Sequence, residues 1–153
     1  MKPLKIQSYE LCHTGMVRDH NEDAVVSLPR QGLWAVADGM GGHARGDYAS
    51  QAVISYLLDM TLSHEAHVGR QLNSIQRVLE QTSQLLISKA QEISEQTIIG
   101  STVVVMVIDD NNLGIFWAGD SRAYRLREGQ LTQLTTDHTV ANELIRAQGF
   151  NRE

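Results

Sequence analysis

The sequence predicts an α+β domain in which helices cover a mostly antiparallel sheet. Three observations carry that expectation. Short apolar runs with extended patterning occupy both ends of the chain, two long segments with helical spacing lie between them, and hairpin-type turns separate the later runs. At 153 residues, 42% hydrophobic and 20% charged, the chain fits a single domain over residues 1–153. It is large enough to bury a core without disulfide or metal staples.

Residues 4–12 (LKIQSYELC) alternate loosely, and after Thr14-Gly15 the run MVRDHNEDAVV resumes an extended pattern that ends at Pro29, which predicts two early strands. LWAVAD at 33–38 is short, apolar and bounded by glycine, so it reads as a buried strand leading into a glycine loop at 39–46. From Asp47 the periodicity changes. Ala49, Ala52, Val53, Tyr56, Leu57 and Met60 recur at steps of three and four, which predicts an amphipathic helix. Between Val68 and Ser94 the same spacing links Leu72, Ile75, Val78, Leu79, Leu85, Leu86 and Ile93 in a longer one. STVVVMVID at 101–109, a DDNN turn, LGIFWAG at 113–119, SRAYRLR, a Glu128-Gly129 turn and QLTQL then predict an antiparallel meander. DHTVANELIRAQGFNRE closes the chain with an expected short helix, Gly149 near its end. No internal repeat, low-complexity segment or linker points to a second domain.

The formal net charge of −5 comes from scattered acids and bases, which argues against binding to nucleic acid or to an anionic membrane surface. Cys12 is the only cysteine, so there is no internal disulfide and no multi-cysteine zinc site. The N-terminus lacks an apolar signal segment and no run approaches ~20 apolar residues, which makes the cytoplasm the expected compartment.

Three stretches carry candidate chemistry. DGMGGH ends the 33–38 strand on Asp38, a carboxylate held on a rigid element and suited to a hard cation, while Gly39 leaves its own carbonyl open to close approach. RDHNED puts Arg18, Asp19, His20, Asn21, Glu22 and Asp23 in sequence. In an extended strand Arg18, His20 and Glu22 would share one face and Asn21 and Asp23 the other. That face pairs a guanidinium fit to grip a phosphate with a carboxylate fit for Mg²⁺ or Mn²⁺. In WAGDSRAYRL a second apolar strand runs through Gly119 into Asp120. Other signals fall away: His64 and His67 lack a third ligand, the glycine loop has no P-loop Lys-Ser/Thr, and neither a Gly-x-Ser-x-Gly serine nor an activated Cys12 is in view.

Taken in order, RDHNED, DGMGGHARG, GSTVVV and WAGDSRAYRL resemble the metal-dependent Ser/Thr protein phosphatases of type 2C, in their bacterial form. The resemblance covers nearly the whole chain, including the hairpin SRAYRLREGQLTQLTTDHT. It implies two mostly antiparallel β-sheets packed as a sandwich flanked by helices, with a binuclear Mn²⁺ or Mg²⁺ centre at one end. By motif position Asp38 would bridge both ions, and Gly39 through its carbonyl and Glu22 through water would serve one of them. Arg18 would hold the substrate phosphate, and Asp120 would help hold a weaker third ion. The implied reaction is hydrolysis of phosphoserine and phosphothreonine in proteins by a metal-activated water, opposite a cognate Ser/Thr kinase.

Two features depart from the family pattern. The late Asp-Gly and Asp-Asn aspartates that complete the family's centre have no counterpart before Glu153, and Asp110-Asn111 falls in a predicted hairpin turn. The chain thus reads as a domain incomplete at its C-terminal end, and the alternative function is a catalytically silent phosphatase-like fragment or phosphoprotein-binding module. Met40 also stands where many eukaryotic members carry a histidine, and a thioether cannot donate a proton. His43, three residues on, receives no assigned role.

Overall fold

A computed structural model describes residues 5–41, 45–61, 68–109 and 112–139. Seven strands and two helices follow in the order β1 (Asp23–Leu28), β2 (Leu33–Gly41), α1 (Gly46–Thr61), α2 (Val68–Gln91), β3 (Ile99–Ser101), β4 (Val103–Asp109), β5 (Asn112–Ala118), β6 (Tyr124–Arg127) and β7 (Gln130–Gln133). The fold is α+β with two antiparallel sheets. One runs β1-β2-β4-β5 with β3 beside the end of β2, and the other is the β6-β7 hairpin. No helix among the described residues is long and apolar enough to cross a membrane.

Period-two alternation divides the large sheet into two unlike faces. Leu33, Ala35 and Ala37 of β2, Val26 of β1, and Val103, Val105 and Val107 of β4 are buried with Val53, Ile54 and Leu57 of α1 and Ile75 of α2. Both helices therefore lie on this side, where small alanines let α1 approach the central strand. A second cluster of Ala49, Leu86, Ala90 and Ile99 closes the helix pair over β3. Trp34, Val36, Val104 and Met106 point the other way and floor an open groove of about 580 Å³.

Several sequence expectations shift in the structure. β1 begins only at Asp23, and residues 5–14 form no strand, with Tyr9 94% and Leu11 89% exposed. Loose alternation supplies side-chain pattern, but a strand needs a neighbouring backbone to bond, and this segment has no ladder partner among the described residues. The expected 101–109 strand is interrupted at Thr102 into β3 and β4. Tyr56 is exposed while Ile54 is buried, and Ile93 lies beyond the end of α2 and is exposed. The DDNN turn in part, His43, His64, His67 and the closing helix lie outside the described residues.

Candidate metal centre

Asp38 stands near the end of the central strand, where three elements meet. β1 pairs it with Asp23 across the ladder, so the two carboxylates leave the same face of the sheet. On its other side, Val36 pairs with Val104 and Gly39 with Ser101 in one continuous register, which sets Thr102 opposite Asp38. The Thr102 amide donates to the Asp38 carbonyl at 2.8 Å, and the Asp38 amide donates to Thr102 Oγ1 at 3.2 Å. Ser101 Oγ donates to the same carbonyl at 3.1 Å. The interruption of the strand at Thr102 thus serves to hold the backbone of Asp38.

Gly39 and Gly46 make the junction between β2 and α1. A β-carbon on Gly39 would collide with the Gly46 carbonyl. One on Gly46 would lie 2.7 Å from the Gly39 carbonyl oxygen and 2.6 Å from the carboxyl carbon of Glu22. The Glu22 carboxylate and the Gly39 carbonyl thus converge on one point over the start of the helix, and the Gly39 amide donating to the Glu22 carbonyl at 2.9 Å ties their backbones. Two oxygens so placed suit a hard cation, whose oxygen ligands stand roughly 2.0–2.6 Å away.

Asp120 approaches from the end of β5. Gly119, at φ 103°, packs against Thr102, whose Cγ2 would be 2.7 Å from any β-carbon there. Ser121 Oγ lies 2.6 Å from Thr102 Oγ1. A chain of contacts therefore runs from the Asp120 turn through Thr102 to Asp38. The Asp38 carboxyl is raised above its ordinary value, first by desolvation in its cleft, then by the charges of Asp23, Asp120 and Glu22 in that order. A cleft of about 410 Å³ opens over Asp38, walled by Cys12, His13, Asp23, Val36 and Ser121.

The structure thus brings together Asp38, Gly39, Glu22 and Asp120 of the residues singled out in the sequence. Arg18 stands on an exposed connection after the turn at Gly15–Val17 and makes no hydrogen bond or ion pair among the described residues. Since residues 18–22 are not a strand, the face-sharing expected of Arg18, His20 and Glu22 does not hold. Asp23, expected to point away, is the carboxylate paired with Asp38. Gly46 and Thr102 were also missed, and both were marked only weakly: Gly46 as the last glycine of the 39–46 loop, Thr102 by its place in GSTVVV. The donor set is hard and anionic, as a divalent cation requires. Among the described residues no three His, Cys, Asp or Glu side chains form a cation cage by themselves, so a carbonyl, water or further ligands must share the work.

Residues 7–146 match the family profile of Protein phosphatase 2C, and the chain belongs to that family. It is 37% identical over 131 residues to the Serine/threonine protein phosphatase PstP of Mycobacterium tuberculosis, spanning 86% of this chain and 25% of PstP. It is 30% identical over 144 residues to the Serine/threonine phosphatase stp of Listeria monocytogenes, spanning 91% of this chain and 57% of that protein. Among solved structures, PppA of Pseudomonas aeruginosa, described as a key regulatory component of T6SS, superposes with a TM-score of 0.81 at 36% identity, over 90% of this chain and 59% of that one. The catalytic domain of PstP in complex with 2 manganese ions gives a TM-score of 0.72 at 34% identity, over 90% and 58%. The chain spans less than two thirds of the length of each of these relatives.

Proposed function

We propose that this chain carries part of the active centre of a metal-dependent phosphatase that hydrolyses phosphoserine and phosphothreonine in proteins, in the cytoplasm and opposite a cognate Ser/Thr kinase. The observation that carries the reading is the convergence of the Asp38 carboxylate, the Gly39 carbonyl and the carboxylates of Glu22, Asp23 and Asp120 at one end of the sheet. Divalent ions bound there, Mn²⁺ or Mg²⁺, supply charge that acidifies water and neutralises phosphoryl oxygens. Asp38, the Gly39 carbonyl and Glu22 would hold these ions, and Asp120 would help hold a further one. Asp23, beside Asp38, would orient water in the cleft. Arg18, exposed and unpaired among the described residues, keeps a two-pronged guanidinium available to a phosphate.

Phosphate release from a phosphothreonine peptide in Mn²⁺, with Asp38→Asn alongside, tests the proposal. Release that disappears in the variant supports it, and release that persists there overturns the metal assignment. A second reading, a silent phosphatase-like module that binds phosphoproteins, is favoured by the lack of a self-sufficient cation cage among the described residues. It requires peptide binding without turnover, and that binding must weaken in Arg18→Ala.

A further inference from the structure

The Asp120 carboxylate accepts no hydrogen bond among the described residues, so its position is set by the backbone on either side of it. That backbone is held from outside. The segment Leu134–Thr139 runs back along the end of β5 and the turn after it. The Leu134 amide donates to the Ala123 carbonyl at 2.8 Å and the His138 amide to the Gly119 carbonyl at 2.8 Å. The Ala123 amide donates to the buried Thr135 Oγ1 at 3.1 Å, and Trp117 Nε1 to the Thr136 carbonyl at 2.9 Å. His138 stacks on Trp117 with ring centroids 5.8 Å apart, and its Nδ1 faces the Gly119 amide at 3.4 Å.

One contact closes this array. Arg122 Nε donates to Asp137 Oδ1 at 2.9 Å and Nη2 to Oδ2 at 2.6 Å, a two-pronged fork in which the carboxylate is only 15% exposed. Gln133 Nε2 reaches the same carboxylate at 3.4 Å. Forked geometry and partial burial separate it from an ordinary surface pair. It lies two residues from Asp120 in one segment and one residue from His138 in the other.

We infer that Arg122 and Asp137 are positioning residues: their ion pair clasps Leu134–Thr139 onto the turn that carries Asp120 and thereby fixes where that carboxylate stands. The effect is passed on through Ser121 and Thr102 to the backbone of Asp38. Toward cations, the inference rests on the metal reading above. Its mechanical part does not.

The test compares Arg122→Ala, Arg122→Lys and the charge swap Arg122→Asp with Asp137→Arg against the parent chain. In Arg122→Ala, amide exchange should quicken at Gly119–Ala123 and Thr135–His138 and stay unchanged in α1, α2 and β4. The Mn²⁺ concentration for half-saturation, read by calorimetry and by phosphate release, should rise about tenfold, the usual cost of a lost outer-shell partner. KM for the phosphopeptide should stay within about twofold. Lysine keeps the charge without the fork and should fall between; the swap should restore most of both signals. Faster exchange without a change in Mn²⁺ half-saturation, or no restoration by the swap, overturns the positioning role. A parent chain that neither binds Mn²⁺ nor releases phosphate sinks the metal reading instead; exchange then decides alone, and unchanged exchange in Arg122→Ala overturns the clasp.

Discussion

β2 and β5 each lead from an apolar run to an aspartate beside a glycine, Asp38-Gly39 in one and Gly119-Asp120 in the other, yet the structure holds their two ends by different means. Around Asp38 the backbone does the holding: Gly39 and Gly46 lie against each other without room for a side chain, and Thr102 bonds the main chain of Asp38 through its amide and hydroxyl. Around Asp120 the backbone bonds from His138 to Gly119 and from Leu134 to Ala123 are joined by side-chain contacts, Arg122 with Asp137 and Trp117 with His138. Added volume should disturb both ends, at Gly39 and Gly46 in one and Gly119 in the other, while removed charge should loosen only the Asp120 end.

The largest effect expected is at Asp38 itself, where Asn should reduce Mn²⁺-dependent phosphate release to background; release that survives would remove the reason for treating this end as the centre. Next comes Gly46→Ala. Its methyl group meets a carbonyl and a carboxylate that cannot both retreat, so denaturant melts should show a loss of about 1–3 kcal/mol, with Mn²⁺ binding lost as well. An unperturbed Gly46→Ala chain would break the contrast between the two ends. Thr102→Val probes the bridge between them by removing the hydroxyl shared by Ser121 and the Asp38 amide. A loss of about 1 kcal/mol is expected in thermal melts.

A smaller effect has the opposite sign. Because the folded chain raises the Asp38 pKa, the native state holds that proton more tightly than the unfolded one, and stability without divalent ions falls as pH rises through the carboxylate range. Asp38→Asn should remove this penalty and stabilise the metal-free chain at neutral pH by about a few tenths of a kcal/mol, since Asp38 is only partly desolvated and water still screens its neighbours' charges. Calorimetry in chelator would detect it, and a destabilised variant would contradict the charge account. Smallest of all, Glu92→Gln breaks the exposed, solvent-screened Lys89–Glu92 pair and should leave the thermal melt indistinguishable from that of the parent chain.

Much of this was legible in advance. β-branched and alanine-rich runs announced the strands, three-and-four spacing announced both helices, and a strand ending on Asp-Gly announced Asp38 and Gly39. Asp23 was assigned to the wrong face because alternation was carried through residues 18–22, where there is no strand to impose it. Gly46 could not be read locally, since its necessity comes from Gly39 and Glu22 lying against it. Nothing in the sequence pairs Arg122 with Asp137, 15 residues apart; the β6-β7 hairpin brings one back onto the other.

The chain has two tryptophans, and the fold gives each a separate neighbourhood. Trp34 floors the open groove, its indole N–H buried without a partner among the described residues, while Trp117 stacks on His138 at the Asp120 end. Intrinsic fluorescence is therefore the sum of two optical reporters. In Trp34→Phe a single tryptophan remains, stacked on His138, so loosening of the Leu134–Thr139 segment would change its surroundings and appear directly in its emission.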